Sequence, residues 1–280
     1  MLFYIYCVIS LCGSGVILWL RGTDNVLTGI LLFLLFAVGL FLICFLLHVL
    51  VFAIVSRTIK MDDLPKDIHT FYRWYGFQTL ELLMKSLHIR IRFHGMEKMP
   101  EKGTPFLMVG NHRSVFDPMI GLVYFQKWDL AYVSKQENLK IPCVGRFIAA
   151  VGNLPLDREN PKNAVRTIKQ AAENIRSGYA NYGIYPEGGE NKTKAPMLPF
   201  RNGAFKIAKD AGCQVILTTV RNSDHIFRRA FTFRPIHIEW DILGTISVEE
   251  VKACKTNEIS DRAFQVMNTF LTENPDPIYH

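Results

Sequence analysis

His112 and Asp117 are the two residues whose types and spacing can do chemistry. A histidine titrates near neutral pH and can take a proton from a hydroxyl. An aspartate that folds back onto it can hold the ring in one tautomer and stabilise the imidazolium. A His–Asp pair is also a common structural hydrogen bond, so it does not identify a base by itself. Further along lie Arg158 and the run Glu187-Gly188-Gly189. An arginine supplies a bidentate clamp for phosphate or carboxylate. A glycine pair lets a substrate approach the backbone closely.

The elements around these residues read as α/β. Phe106 to Val109 is a short apolar run that predicts a buried strand, followed by the polar turn Gly110-Asn111. Asp117 precedes Pro118 and an apolar run, which places it near a helix start. His88 to Gly95 alternates with period two, as a half-buried strand does. Strands are also expected at 130–134, 152–155, 182–185, 215–220 and 231–239. Helices are expected at 118–125, 163–177, 202–211 and 260–273, with Gly178 and Gly212 closing two of them. The alternation implies a mixed, mostly parallel sheet flanked by helices, with no internal repeat. His112 and Asp117, Arg158 and Glu187 each follow a strand, so the sheet should gather them along one edge.

Composition is uneven. Residues 1–55 carry only Arg21 and Asp24, although the whole chain has net charge +7 and 49% hydrophobic residues. Leu2 to Leu20 and Val26 to Val55 are each long enough to span a bilayer, and the turn between them is short. Residues 1–58 therefore read as a transmembrane helical hairpin. No basic segment precedes the first span, so a cleavable signal peptide is not expected. Arg57, Lys60 and Lys66 follow the second span, which places the rest of the chain and the N-terminus in the cytoplasm. His48, within the second span, reads as facing its partner helix or the interface. Asp62 to Pro65 is a linker. Within 59–90, Phe71, Tyr72, Trp74, Tyr75 and Phe77 beside Arg73 suit amphipathic helices lying at the headgroups or packing on the core. Residues 91–280 form the cytoplasmic domain. The basic excess suits an anionic membrane or a phosphorylated substrate; nucleic acid is the competing partner and is not expected beside membrane spans. The six cysteines lack metal-binding spacing and read as free thiols, Cys143 among them as a packing residue.

The blocks at 111–117, 135–158 and 185–191 resemble the glycerolipid acyltransferase family, specifically bacterial 1-acylglycerol-3-phosphate acyltransferases of the PlsC type. The resemblance covers about Phe71 to Val220. The family's NHxSxxD block is Asn111-His112-Arg113-Ser114-Val115-Phe116-Asp117. Its second block is matched by Lys135, Glu137, Pro142, Gly145, Gly152, Leu154 and Arg158. Its FPEGTRS block appears as Tyr185-Pro186-Glu187-Gly188-Gly189-Glu190-Asn191, and its F-K-x-G-A segment as Phe200-Arg201-Asn202-Gly203-Ala204. Gly189 and Glu190 stand where the family usually has Thr and Arg, and the strand at 215–220 lacks the usual proline.

The resemblance implies a membrane-bound acyltransferase of phospholipid synthesis in the inner cell membrane. His112 and Asp117 would be catalytic. Asn111, Ser114, Arg158, Glu187, Gly188, Gly189 and Lys192 would bind substrate. The acceptor would be lysophosphatidic acid and the product phosphatidic acid. The acyl donor, acyl-CoA or acyl carrier protein, is a substrate; no cofactor and no metal are implied. His112 would deprotonate the acceptor hydroxyl, whose oxygen attacks the thioester directly. Backbone N–H groups near Gly188-Gly189 are candidates for the oxyanion. Ser114 lacks a nucleophile elbow and reads as a turn or cap residue. The acid at Glu190 leaves another lysophospholipid acceptor open, with Lys192, Lys194 or Arg201 as replacement cations. A non-catalytic lipid-binding relative and a metal-dependent hydrolase using His112 and Asp117 as ligands are the competing readings.

Overall fold

The computed structural model describes residues 1–23, 25–62, 64, 67–230, 232 and 234–277. Asp24 of the expected turn, Pro65 of the linker, the basic Lys66 and the strand start at Phe231 lie outside the described residues.

Two helices open the chain, α1 (Leu2–Arg21) and α2 (Val26–Thr58). Both are long and apolar enough to cross a membrane. Their apolar side chains stay exposed, Trp19 at 82% and Val26 at 80%, whereas a core helix would bury them. Asn25 caps α2 by accepting from Thr28 N–H at 2.8 Å. Helix α3 (Phe71–Ser86) follows as one helix, capped by Thr70. It buries Tyr75, Phe77, Leu82 and Met84 and leaves Phe71 and Trp74 exposed, so it serves core and surface with different faces.

The hairpin is fastened to α3. His48 of α2 hydrogen-bonds Tyr6 Oη on one side and Thr79 Oγ1 on the other, each at 3.1 Å. The Met1 amino group and Lys85 both donate to Glu81, at 2.9 and 2.6 Å. Phe52 of α2 stacks on Phe147, with centroids 4.2 Å apart.

The remainder is a seven-stranded sheet in the order β1-β7-β6-β2-β5-β3-β4. The strands are β1 (Ile89–His94), β2 (Phe106–Gly110), β3 (Leu130–Lys135), β4 (Leu154–Leu156), β5 (Asn181–Ile184), β6 (Gln214–Arg221) and β7 (Ile236–Ile246). All neighbours pair parallel except β6 with β7. The helices between them are α4 (Phe116–Tyr124), α5 (Val144–Ala150), α6 (Pro161–Arg176), α7 (Lys206–Ala211) and α8 (Ile226–Arg229), and α9 (Val248–Ala253) and α10 (Thr256–Glu273) follow β7.

Strand periodicity divides the core into two layers. Leu107 and Val109 pack with Ala171, Ile175, Phe205 and Met267 on one face. Phe106 and Met108 pack with Phe77, Ile120 and Trp240 on the other. Each face is covered by helices, which is why β2 reads as an unbroken apolar run.

Three differences from expectation have a structural reason. The strand expected at 231–239 is found as β7 at 236–246, because β6 pairs as far as Ile246 and overrides the polar Asp241, Gly244 and Thr245. The helix expected over 202–211 opens as a 3-10 turn at 202–205. Residues 136–150, which show no clear periodicity, fold as a 3-10 turn followed by α5.

Candidate active site

The parallel group β2-β5-β3-β4 points its C-terminal ends to one edge of the sheet. His112 leaves β2, Glu187 follows β5, Lys135 ends β3 and Arg158 follows β4. Residues far apart in sequence thereby meet at one open cavity of about 590 Å³.

Asp117 sits in the first turn of α4, fully buried. Its Oδ2 receives three donors: His112 Nδ1 at 3.0 Å, Arg113 N–H at 2.7 Å and Ser114 N–H at 2.8 Å. The turn 113–117 wraps around the carboxylate because these N–H groups precede the helix and have no other acceptor in it. With a carboxylate as acceptor, Nδ1 carries the proton. Nε2 is therefore the basic atom of His112, which lines the cavity.

The His112 backbone is held on both sides. Its N–H donates to Glu187 Oε1 at 2.7 Å, and its carbonyl accepts from Asn191 N–H at 2.6 Å. Glu187 Oε2 accepts from Leu198 N–H at 2.7 Å, so one carboxyl ties the loops after β2 and β5 together. Burial pushes this carboxyl up to about 7, against the downward pull of the two N–H donors and of His112. The His112 ring stacks on Tyr185 with centroids 4.4 Å apart and planes 13° apart.

Gly188 has φ +82°, a backbone state that favours glycine, and a Cβ there would stand 2.6 Å from Arg201 Nε. Arg201 thus lies across Gly188 and lines the cavity with Arg158. Burial, and then the nearby Arg201 charge, lower the Arg158 guanidinium from its ordinary value. The pair forms a basic wall, with Lys135 on the same cavity and Glu190 as its acidic member. The same cavity has an extensive apolar lining, which includes Phe52, Leu80, Leu83, Met119, Leu122 and Ile148.

The residues expected to touch substrate divide. Arg158, Gly188 and Gly189 line the cavity. Asn111 is fully buried and occupies both ends of its amide on Val220, accepting its N–H at 2.7 Å and donating to its carbonyl at 2.9 Å. It fastens the site loop to β6. Ser114 is buried, with Oγ accepting from Phe116 N–H at 3.3 Å. Glu187 acts as the brace just described. Lys192 is exposed and outside the cavity lining, and of the replacement cations only Arg201 lines it. The Gly188 N–H donates to the Tyr185 carbonyl at 3.1 Å and so does not face a substrate oxyanion. A Cβ on Gly189 meets nothing within 4 Å. Lys135, read from the sequence as a residue of the second block and not as a substrate contact, also lines the cavity. The residues of the apolar wall escaped the sequence reading, because scattered leucines carry no signal until the sheet aligns them. Among the described residues, no three His, Cys, Asp or Glu side chains group to hold a metal ion.

Several known proteins are similar to this chain in sequence or fold. The acyltransferase family model matches residues 90–221. A 1-acyl-sn-glycerol-3-phosphate acyltransferase of Saccharomyces cerevisiae is 27% identical over 206 residues, 72% of this chain and 66% of that protein. One of Haemophilus influenzae is 28% identical over 177 residues, 63% of this chain and 70% of that protein. The match to a chloroplastic relative of Brassica napus, 32% identical, spans 37% of its length. The chain thus spans less than two thirds of the yeast and Brassica relatives. The solved structure of the LPA acyltransferase PlsC from Thermotoga maritima superposes with a TM-score of 0.58 at 20% identity, covering 74% of this chain and 83% of that one, and has the same fold.

Proposed function

We infer, from the match of residues 90–221 to the acyltransferase family model and from the two long apolar N-terminal helices, that the protein is a membrane-bound lysophospholipid acyltransferase. It moves a fatty acyl group from a thioester donor, acyl-CoA or acyl carrier protein, to the free hydroxyl of lysophosphatidic acid. The product is phosphatidic acid. The observation that carries this reading is the cavity itself, whose lining combines His112 of the His112–Asp117 pair, two arginines and a large set of apolar side chains.

His112 Nε2 takes the proton of the acceptor hydroxyl as its oxygen attacks the thioester carbonyl. Asp117 holds the ring through Nδ1 and offsets the imidazolium charge. The tetrahedral intermediate expels the thiolate, and the proton on His112 passes to the leaving sulfur. Arg158 and Arg201 hold the acceptor phosphate. The apolar lining takes the acyl chain, and its Phe52 comes from α2, so the chain enters from the side on which the hairpin sits. Acceptor and product are lipids, which suits a hairpin in the inner membrane with the domain on the cytoplasmic side. Glu190 leaves room for a second acceptor whose headgroup carries a positive charge.

The test is a transfer assay on purified protein with several lysophospholipids and both donor types, read by mass spectrometry. Wild type should acylate lysophosphatidic acid, and His112→Ala should lower the rate by about 10²–10⁴-fold without loss of fold. Full activity in His112→Ala would sink the mechanism. Lipid binding without turnover across the panel would favour a non-catalytic relative.

A further inference from the structure

Three glycines clear space behind His112. A Cβ on Gly183 would overlap the Tyr132 ring, and one on Gly121 would overlap the Tyr132 hydroxyl. One on Gly110 would lie 3.1 Å from the Tyr185 ring. Gly121 is one helical turn beyond Asp117, on the same face of α4. Tyr132 of β3 therefore reaches across the sheet toward the helix that carries Asp117. Its ring stacks on Tyr185, centroids 5.5 Å apart and planes 9° apart, and Tyr185 stacks in turn beneath His112.

This stack ends in polar atoms short of partners. The hydroxyls of Tyr132 and Tyr185 are buried against each other with no further hydrogen-bond partner, and Oδ1 of Asp117 is buried with none. Buried polar groups of folded proteins are satisfied by protein or by ordered water, and each orphan costs about 1–3 kcal/mol. Burial raises both phenols, that of Tyr185 well above its ordinary value, and the Asp117 charge raises them further. Both hydroxyls therefore keep their protons and can donate.

We infer that Tyr132 and Tyr185 are positioning residues for the His112–Asp117 pair, their hydroxyls and Asp117 Oδ1 holding one buried water as a relay. The inference rests on the reading of His112 as the base. Three polar partners are what a buried water needs. The relay draws part of the carboxylate charge away from the imidazole and keeps His112 less basic than an isolated pair would be. The other titratable groups facing the pair are Glu187, bonded to the His112 N–H, and Lys135, Arg158, Glu190 and Arg201 across the cavity. Arg113 faces Asp224 and Asp276 instead.

The test uses Tyr132→Phe and Tyr185→Phe, which keep both rings and remove only the hydroxyls. The full chain in detergent is followed by thermal unfolding, by the pH dependence of kcat/KM, and by titration of the nitrogen-15-labelled His112 ring. Each variant should keep its melting temperature and raise the His112 midpoint by about half to one pH unit. Below that midpoint the rate should fall about three- to tenfold, since only neutral His112 acts as base. The double variant should shift less than the sum of the two, because either hydroxyl breaks the same relay. An unmoved titration in both variants overturns the inference. So does an equal loss of rate at every pH with a lowered melting temperature, which would make the tyrosines packing residues. Retained activity in His112→Ala would sink the base assignment separately, while the ring titration would still report the relay.

Discussion

Asp117 receives the Nδ1–H of His112 at 3.0 Å on the same carboxylate oxygen that accepts two backbone N–H groups of the loop between them. The interaction that orients the imidazole therefore also shapes the turn that presents it. Asp117→Asn keeps the volume and loses the charge. Its kcat should fall about 10²-fold or more, with the loop retained, because the imidazolium loses its counter-charge. Steady-state kinetics beside a thermal melt would check this; a kcat near wild type would mean that orientation alone suffices.

Glu187 makes the site's stability depend on pH. Its carboxyl rises on folding from 4.5 to about 7. The folded state thus binds the extra proton between those values, and stability declines as pH rises through the window. Glu187→Gln should flatten that part of the curve relative to wild type. Melting temperatures of both proteins, taken across the window, give the comparison, and parallel curves would count against it. Glu187→Ala should be worse at every pH, since the N–H groups of His112 and Leu198 each lose an acceptor, at about 1–3 kcal/mol apiece.

Gly188 and Gly189 should behave oppositely. Gly188→Ala forces a left-handed residue, costing about 1–2 kcal/mol, and pushes Arg201 aside. We expect a raised KM for the lysophospholipid. Gly189→Thr meets open space and should fold as wild type. Equal effects of the two changes on KM would show that Arg201 does not hold the acceptor.

The chain after α10 returns to the site. Asp276 pairs with Arg113 at 2.9 Å and accepts from Asn222 N–H at 3.1 Å, and Arg113 also pairs with Asp224 at 3.2 Å. Arg113 is the direct neighbour of His112. Asp276→Ala should cost about 1 kcal/mol or less of stability, because the pair is partly exposed, yet lower kcat several-fold by loosening the loop. An unchanged kcat in that variant would assign the contact to the surface alone.

His48 should act as a joint between the hairpin and α3, through Tyr6 and Thr79. His48→Leu removes both bonds and keeps an apolar side chain. Membrane insertion should persist, while protease sensitivity near 60–70 rises as the domain loosens from the hairpin. Unaltered proteolysis would show that Phe52 on Phe147 is sufficient.

Local signals were legible in the sequence. Alternating apolar runs, the two long charge-free stretches and the strand–turn–helix at 106–125 are patterns of neighbouring residues, and each formed its element. His112 and Asp117 were readable as a pair because five positions along one turn bring them together. The β7 boundary was not readable, since partner strands rather than its own composition extend it. The same holds for the site. Asn111 and Lys192 carry substrate-binding residue types, but the sheet buries one against Val220 and leaves the other outside the cavity. Arg201 across Gly188, Glu187 beneath His112 and Tyr132 behind Tyr185 depend on parallel strands distant in sequence lying side by side. By itself the sequence determined most of the elements that form and which residue pair can move a proton. Tertiary structure decided which side chains face that pair, because strand order and register, not spacing along the chain, set distances between residues on different strands.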